Sequence, residues 1–412
     1  MKKNGIAFHS SNIETSAKNF TPNRTIEHDS TPRKTNVLKS NKLREILYTI
    51  IFLSMVGLFI GYLGINMGIS NVFSSLMQTA YALLMETAFY ILAISVVMGA
   101  IGSLASEFGV VKLFNRIFSP LMKPLYNLPG ASFLGIITTY LSDNPAIITL
   151  ANDEAYLQYF NEDEVPCLCN LGTSFGMGLI LTTFMMGFGF IKEALIGNLG
   201  AIIGSIFSVR IMSYKIRYKS PLSRRKKQSS KKIIDLPKNN SNDSFFIRFM
   251  TAMLEGGKSG VEMGVAIIPG VLFVCTIVMT LTFGPKEPSI GYQGVAFEGV
   301  ALLPKLGDFI APIIKPLFGF SSPEAIAFPI TSLGAVGAAI SLVPKFLDLG
   351  LISGNDIAVF TAMGMCWSGY LSTHVAMMDA LKHRELISTA LTSHTIGGLI
   401  GGISAHFIYL LF

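Results

Sequence analysis

The residues of this 412-residue chain best suited to chemistry come in short polar runs set inside long apolar stretches. Ser142-Asp143-Asn144-Pro145 places a hydroxyl, a carboxylate and an amide beside a proline, with apolar residues on either side. Proline removes a backbone donor and breaks a helix, so free N–H and C=O groups join those side chains as binding groups. The set suits a small polar solute or a cation. The same residues also suit a plain helix start, because Ser and Asn ahead of Pro are common caps.

Three further runs belong with the first. Cys169-Asn170-Leu171-Gly172-Thr173-Ser174 offers an amide and two hydroxyls among small residues, which serve either a solute or close helix packing. Trp367-Ser368-Gly369-Tyr370-Leu371-Ser372-Thr373-His374 supplies the single Trp of the chain, a Tyr and a run of hydroxyls; the aromatic faces can stack on a ring or lie in a membrane interface. Thr331 and Ser332 follow Pro329 at a second break, where hydroxyls bind a solute or bond back to their own helix. The candidate solute-binding residues are therefore Ser142, Asp143, Asn144, Asn170, Thr173, Ser174, Thr331, Ser332, Trp367 and Ser368. Glu86, Glu262, His374, Asp379 and His394 also lie in or near apolar runs, where charge is costly; Asp143 and Asp379 are the candidates for ion coupling.

Several chemistries are excluded. Gly172-Thr173-Ser174-Phe175-Gly176 fits the hydrolase elbow pattern, but that elbow needs a strand before it and this one sits inside an apolar span. Neither a Walker A loop nor an HExxH pair is present, so no catalytic residue, resident metal or cofactor is expected and the protein is read as a non-enzyme. The four cysteines form no CxxC pair, so disulfides are not expected. The net charge of +7 comes from basic segments flanking apolar runs, which points to membrane orientation and not to nucleic acid.

The elements that position these residues are helices in lipid. Half the residues are apolar and 14% charged, which makes the bilayer the main partner of the chain. Seven runs are long enough to span: 45–66, 84–106, 167–190, 194–212, 263–283, 356–378 and 387–412. Two more, 131–151 and 324–343, are broken halfway and are read as re-entrant hairpins, since broken backbone survives in lipid only against protein or a wet cavity. The fold class is an all-α integral membrane protein.

Residues 1–42, rich in Ser, Thr, Asn and Lys, are read as a disordered cytoplasmic tail, followed by a first transmembrane helix over 43–69. Between Arg210 and Lys238 stand eleven Lys and Arg against one acidic residue, so the loop 213–242 is placed in the cytoplasm with the N-terminus. Counting spans from there puts the C-terminus outside; the expected location is a bacterial-type cell (inner) membrane, crossed several times.

The chain also repeats itself. At an offset of 192 residues Ser119-Pro120-Leu121-Met122-Lys123-Pro124-Leu125-Tyr126 aligns with Ala311-Pro312-Ile313-Ile314-Lys315-Pro316-Leu317-Phe318, and the register continues to Met185-Met186 with Met377-Met378. The charge rule gives the copies, 84–212 and 243–412, opposite senses across the membrane: an inverted-topology repeat, as suits alternating access around a midplane site.

With Tyr140-Leu141 ahead of the first run and Cys169-Asn170-Leu171-Gly172-Thr173-Ser174 after it, the chain resembles the nucleoside-recognition or Gate domain membrane proteins, particularly the YjiH-like members. It is more distantly similar to concentrative nucleoside transporters and to the membrane domain of the ferrous-iron transporter. The resemblance implies a secondary carrier of a nucleoside or nucleobase, coupled to Na+ or H+, with Asn144, Asn170, Ser332 and Ser368 facing the solute and a homo-oligomeric assembly. Two alternatives remain open: a spore-maturation-like structural or assembly role, and a soft-metal path past Cys169 and Cys366.

Overall fold

The computed structural model of the chain describes residues 32–219 and 244–412, with side chains described from Arg44 in the first stretch. The start of the tail and most of the basic loop lie outside the described residues. Among the described residues the secondary structure is helical, apart from one isolated bridge between Glu287 and Gly291. The helix α1 (Pro32–Met67) already begins within the segment read as tail.

Six helical stretches have the length and apolarity to cross a membrane: Arg44–Met67, Ile69–Glu107, Cys167–Gly187, Ile191–Tyr218, Phe245–Thr282 and Arg384–Tyr409. The protein is a multi-pass membrane protein. The predicted runs 167–190 and 356–378 are each interrupted, where Met177 takes φ 53 and Gly369 φ 64, a left-handed conformation that no α-helix continues through.

Among the described residues, those up to Phe59 form one unit and those from Ile60 to Phe412 a second. The second unit begins with α2 (Ile69–Ala82), a π-helical turn and α3 (Phe89–Glu107), followed by α4 (Val110–Tyr126). Next come α5 (Ser132–Leu141), α6 (Asn144–Ala151), the short α7 (Glu154–Leu157), α8 (Cys167–Thr173), α9 (Gly178–Gly187) and α10 (Ile191–Lys219). After the loop come α11 (Phe245–Ala266), α12 (Ile268–Gly270), a second π turn and α13 (Thr276–Thr282). The remainder is α14 (Leu302–Phe318), α15 (Ala327–Gly334), α16 (Val336–Ile340), α17 (Val343–Asp348), α18 (Gly354–Cys366), α19 (Tyr370–Ala380) and α20 (Ile387–Tyr409).

The offset of 192 residues recurs in the backbone itself. α4 and α14 start after left-handed residues, Gly109 and Ala301, and both stop at left-handed residues, Asn127 and Gly319. Each carries two internal prolines at matching positions. α5 gives way to α6 through extended Asp143, and α15 to α16 through extended Ala335. α9 starts after left-handed Met177 and α19 after left-handed Gly369. Left-handed residues other than glycine are uncommon, and Ala301, Asn127 and Met177 each stand 192 positions from a left-handed glycine, a stronger sign of a repeat than apolar identities are.

In α4 the buried positions Val111, Asn115, Ser119, Met122 and Tyr126 fall on one face, with Lys112, Arg116 and Lys123 elsewhere, the pattern of a helix lying along an interface. Two helix pairs join the copies, α3 with α11 and α10 with α20. On α11, Gly256 and Gly260 recur at four-residue spacing, and a Cβ on Gly256 would stand 2.4 Å from the Gly99 carbonyl oxygen. On α20, a Cβ on Gly397 would stand 2.7 Å from the Gly204 carbonyl oxygen. With little hydrophobic force between helices in lipid, such small-residue seams supply the van der Waals contact that holds them together.

Candidate functional site

Four chain breaks meet around one cavity of about 400 Å³. The break between α5 and α6 contributes Asp143, Asn144 and Pro145; the break between α15 and α16 contributes residues 334–338. Met177 comes from the interruption between α8 and α9, and Ser368 and Gly369 from that between α18 and α19. Ala266, Ile267 and Gly270 close a further side.

The Asn144 side chain, 7% exposed, lies where the interruptions of the two copies approach each other. Its Nδ2 donates to Ser368 Oγ at 3.2 Å, linking the first copy to the second. A Cβ on Gly176 would lie 2.5 Å from Asn144 Oδ1, and one on Gly369 would lie 2.7 Å from its Nδ2. Glycine at both places is what lets the amide fit. Asn144 Oδ1 and Asp143 Oδ1 are both sheltered and have no hydrogen-bond partner among the described residues, so the tip presents two open acceptors. Backbone N–H groups of Asn144 and Met177 also face the Asp143 carboxylate.

The remaining predicted site residues are distributed as follows. Ser142 is exposed, donates back to the Thr138 carbonyl at 2.6 Å, and lines a separate cleft of about 300 Å³ on the other side of the tip, with Ser103, Glu255 and Ser259. Thr173 and Ser174 are buried and donate to the carbonyls of Cys169 and Asn170 at 2.8 and 2.7 Å. Thr331 and Ser332 likewise donate to Ala327 and Phe328, at 2.6 and 3.0 Å. None of these four is on the cavity wall.

Asn170 and Trp367 belong to a buried polar cluster away from the cavity wall. Asn170 Nδ2 donates to Ser208 Oγ at 3.0 Å and to the Ala390 carbonyl at 3.1 Å. Ser208 Oγ lies 3.0 Å from His394 Nδ1, and Trp367 Nε1 donates to the His394 carbonyl at 3.4 Å. The rings of His394 and His374 are 4.6 Å apart. Asp379 is half exposed and lies 3.6 Å from Arg384, at the end of α19 and off the cavity wall.

Of the ten candidates, the structure brings Asp143, Asn144 and Ser368 together on the cavity wall. Ser372 and Thr373, part of the hydroxyl run after Trp367 but outside the candidate set, also line it, as does Met177, which the sequence reading did not single out. A signal for them was available: Ser368 and Ser372 are four apart, one helical turn, and Met177 is the partner of Gly369 at the repeat offset. Among the described residues no group of three or more His, Cys, Asp or Glu is placed to hold a metal ion, and all four cysteines are buried and free.

No protein-family model and no curated protein sequence matches this chain. Solved structures do. The concentrative nucleoside transporter CNTnw in an inward-facing substrate-bound state aligns over 92% of this chain and 87% of its own, with a TM-score of 0.53 and 13% identity. A variant of CNTnw in an outward-facing state aligns over the same shares with a TM-score of 0.52 and 12% identity. At such identities the likeness is one of fold: the chain shares the helical membrane architecture of CNTnw.

Proposed function

We propose that the protein is a secondary carrier of a small polar solute, working by alternating access around the central cavity. The observation that carries this reading is the meeting of four chain breaks, a matching pair from each copy, at one cavity. Two similar halves around one site offer two similar closures, which a carrier needs and a structural protein does not. The fold shared with CNTnw supports the same reading. It makes nucleosides and nucleobases the first solutes to test, and sodium ions or protons the first coupling ions. In this reading the two copies run in opposite senses, the α5–α6 and α15–α16 units are re-entrant hairpins dipping from opposite faces, and the N-terminus and basic loop are cytoplasmic. Asp143, Asn144 and Ser368 contact the solute directly, while Asn170 and Trp367 hold the interrupted helices behind it.

Reconstitution into proteoliposomes tests the proposal. Solute should accumulate above its bath concentration under an imposed sodium or proton gradient and leak back when the gradient is collapsed. Cysteine at Ser372 should become reactive from each side in turn, against a low background because the native cysteines are buried. Reactivity from one side only, indifferent to gradient and solute, would defeat alternating access. Cysteine at Ser230 should label only from the cytoplasm and cysteine at Glu287 only from outside; labelling of both from one side removes the inverted repeat.

A further inference from the structure

We infer that the solute is a small organic cation, an amine whose ammonium group lies between Asp143 and Asn144 with its aliphatic body against the opposite wall. The inference rests on the carrier reading above and narrows it. The first observation is charge. The chain as a whole is basic, yet Asp143 is the one charged side chain among the described residues lining the central cavity. The cleft on the far side of the same tip also holds one charged side chain, and it too is a carboxylate, Glu255. Neither acid takes part in a salt bridge among the described residues. Two cavities flanking one tip, each with an unpaired acid and no base, favour a cation at both stations.

The second observation is hydrogen-bonding polarity. Asp143 Oδ1 and the buried Asn144 Oδ1 are open acceptors, without a hydrogen-bond partner among the described residues. An ammonium group brings donors and no acceptor, which is the complement this pair requires. The third observation is the opposite wall, made of Ala266, Ile267, Ala335, Val336 and Ala338. A bare inorganic cation needs oxygen ligands on all sides, and this wall has no side-chain oxygen to give. Its aliphatic surface suits a short carbon chain, and the lining holds no aromatic ring on which a nucleobase would stack.

The test is calorimetric titration of the full chain in nanodiscs, in potassium phosphate at pH 7, with the series from methylamine to hexylamine, the matching alcohols, uridine, and sodium chloride alone. At least one amine should bind, its alcohol should bind about tenfold more weakly or not at all, and Asp143→Asn should lower amine affinity about tenfold or more. Glu255→Gln, away from the central cavity, should leave amine affinity within about threefold while slowing amine uptake into proteoliposomes, and this variant keeps the test open if Asp143→Asn does not fold. Silence across the amines, amine binding indifferent to Asp143→Asn, or amine uptake indifferent to Glu255→Gln overturns the inference. Uridine binding that depends on Asn144 overturns the solute class and leaves the carrier standing. Binding of sodium alone, lost in Asp143→Asn, makes the tip an inorganic ion site and also overturns it. The carrier reading fails separately, if no solute of any class accumulates under a gradient.

Discussion

The two helix–break–helix units carry one backbone design with opposite chemistry. Asp143 and Ala335 are both extended residues between two short helices, 192 positions apart, and both line the same cavity. The first break presents a carboxylate and an amide; the second presents Gly334, Ala335, Val336 and Gly337. The same break geometry therefore stands twice, whereas of the two tips only the first carries polar side chains. A site with a polar wall and an aliphatic wall orients a solute, which two identical tips would not do.

Substitutions at the two tips can break or sharpen that contrast. The largest effect is expected at Gly369, where alanine would need φ +64 and would bring its Cβ to 2.7 Å from Asn144 Nδ2 and 2.1 Å from Thr373 Oγ1. Gly369→Ala should cost about 2–4 kcal/mol and abolish solute-dependent stabilisation, read as melting temperature with and without solute. At the apolar tip a Cβ on Gly334 meets nothing within 4 Å, so Gly334→Ala should change stability by less than about 1 kcal/mol. Equal losses at the two positions would remove the contrast.

Next in size is Asn144→Ala, which removes the bond to Ser368 that ties the first copy to the second. It should cost about 1–2 kcal/mol of stability and at least as much in solute binding, seen together in calorimetry and thermal unfolding. Val336 is the counterpart of Asn144 at the offset, and Val336→Ala should weaken packing while leaving the polar contacts of a bound solute in place. The smallest effect is expected from Ser332→Ala and Asp379→Asn. The Ser332 hydroxyl is used on its own helix, and Asp379 is half exposed beside Arg384. Both should leave transport unchanged and stability within about 1 kcal/mol; a large loss of transport in Asp379→Asn would bring that carboxylate back as a coupling group.

Much of the architecture was legible before any coordinates. Apolar runs of spanning length, interrupted by Pro or by small polar residues, have few stable forms in lipid, since backbone groups must be satisfied within helices or against protein. The repeat offset was equally readable, because α4 and α14 keep their prolines in register. The continuity of 356–378 was not readable, since a tryptophan, a serine and a glycine in a helical run do not announce a left-handed turn. Membership of the site was readable only in part. Ser142, Thr173, Ser174, Thr331 and Ser332 have the right composition, but in apolar surroundings a hydroxyl finds its nearest acceptor one turn back along its own helix.

The sequence by itself determined that this is a helical membrane protein whose proline and apolar pattern keeps register at an offset of 192 residues, because hydropathy, proline and periodicity are local properties of a chain placed in lipid. Which polar groups share a space was decided by tertiary structure alone. Asp143, Asn144 and Ser368 meet because Gly176 and Gly369 let two interrupted helices approach one amide from both sides, while Asn170 and Asp379, equally polar on paper, are carried to a buried cluster and to a half-exposed helix end. Contacts across more than 200 residues depend on how helices pack, and packing is set by side-chain volume at every crossing and not by the identity of the polar residues themselves.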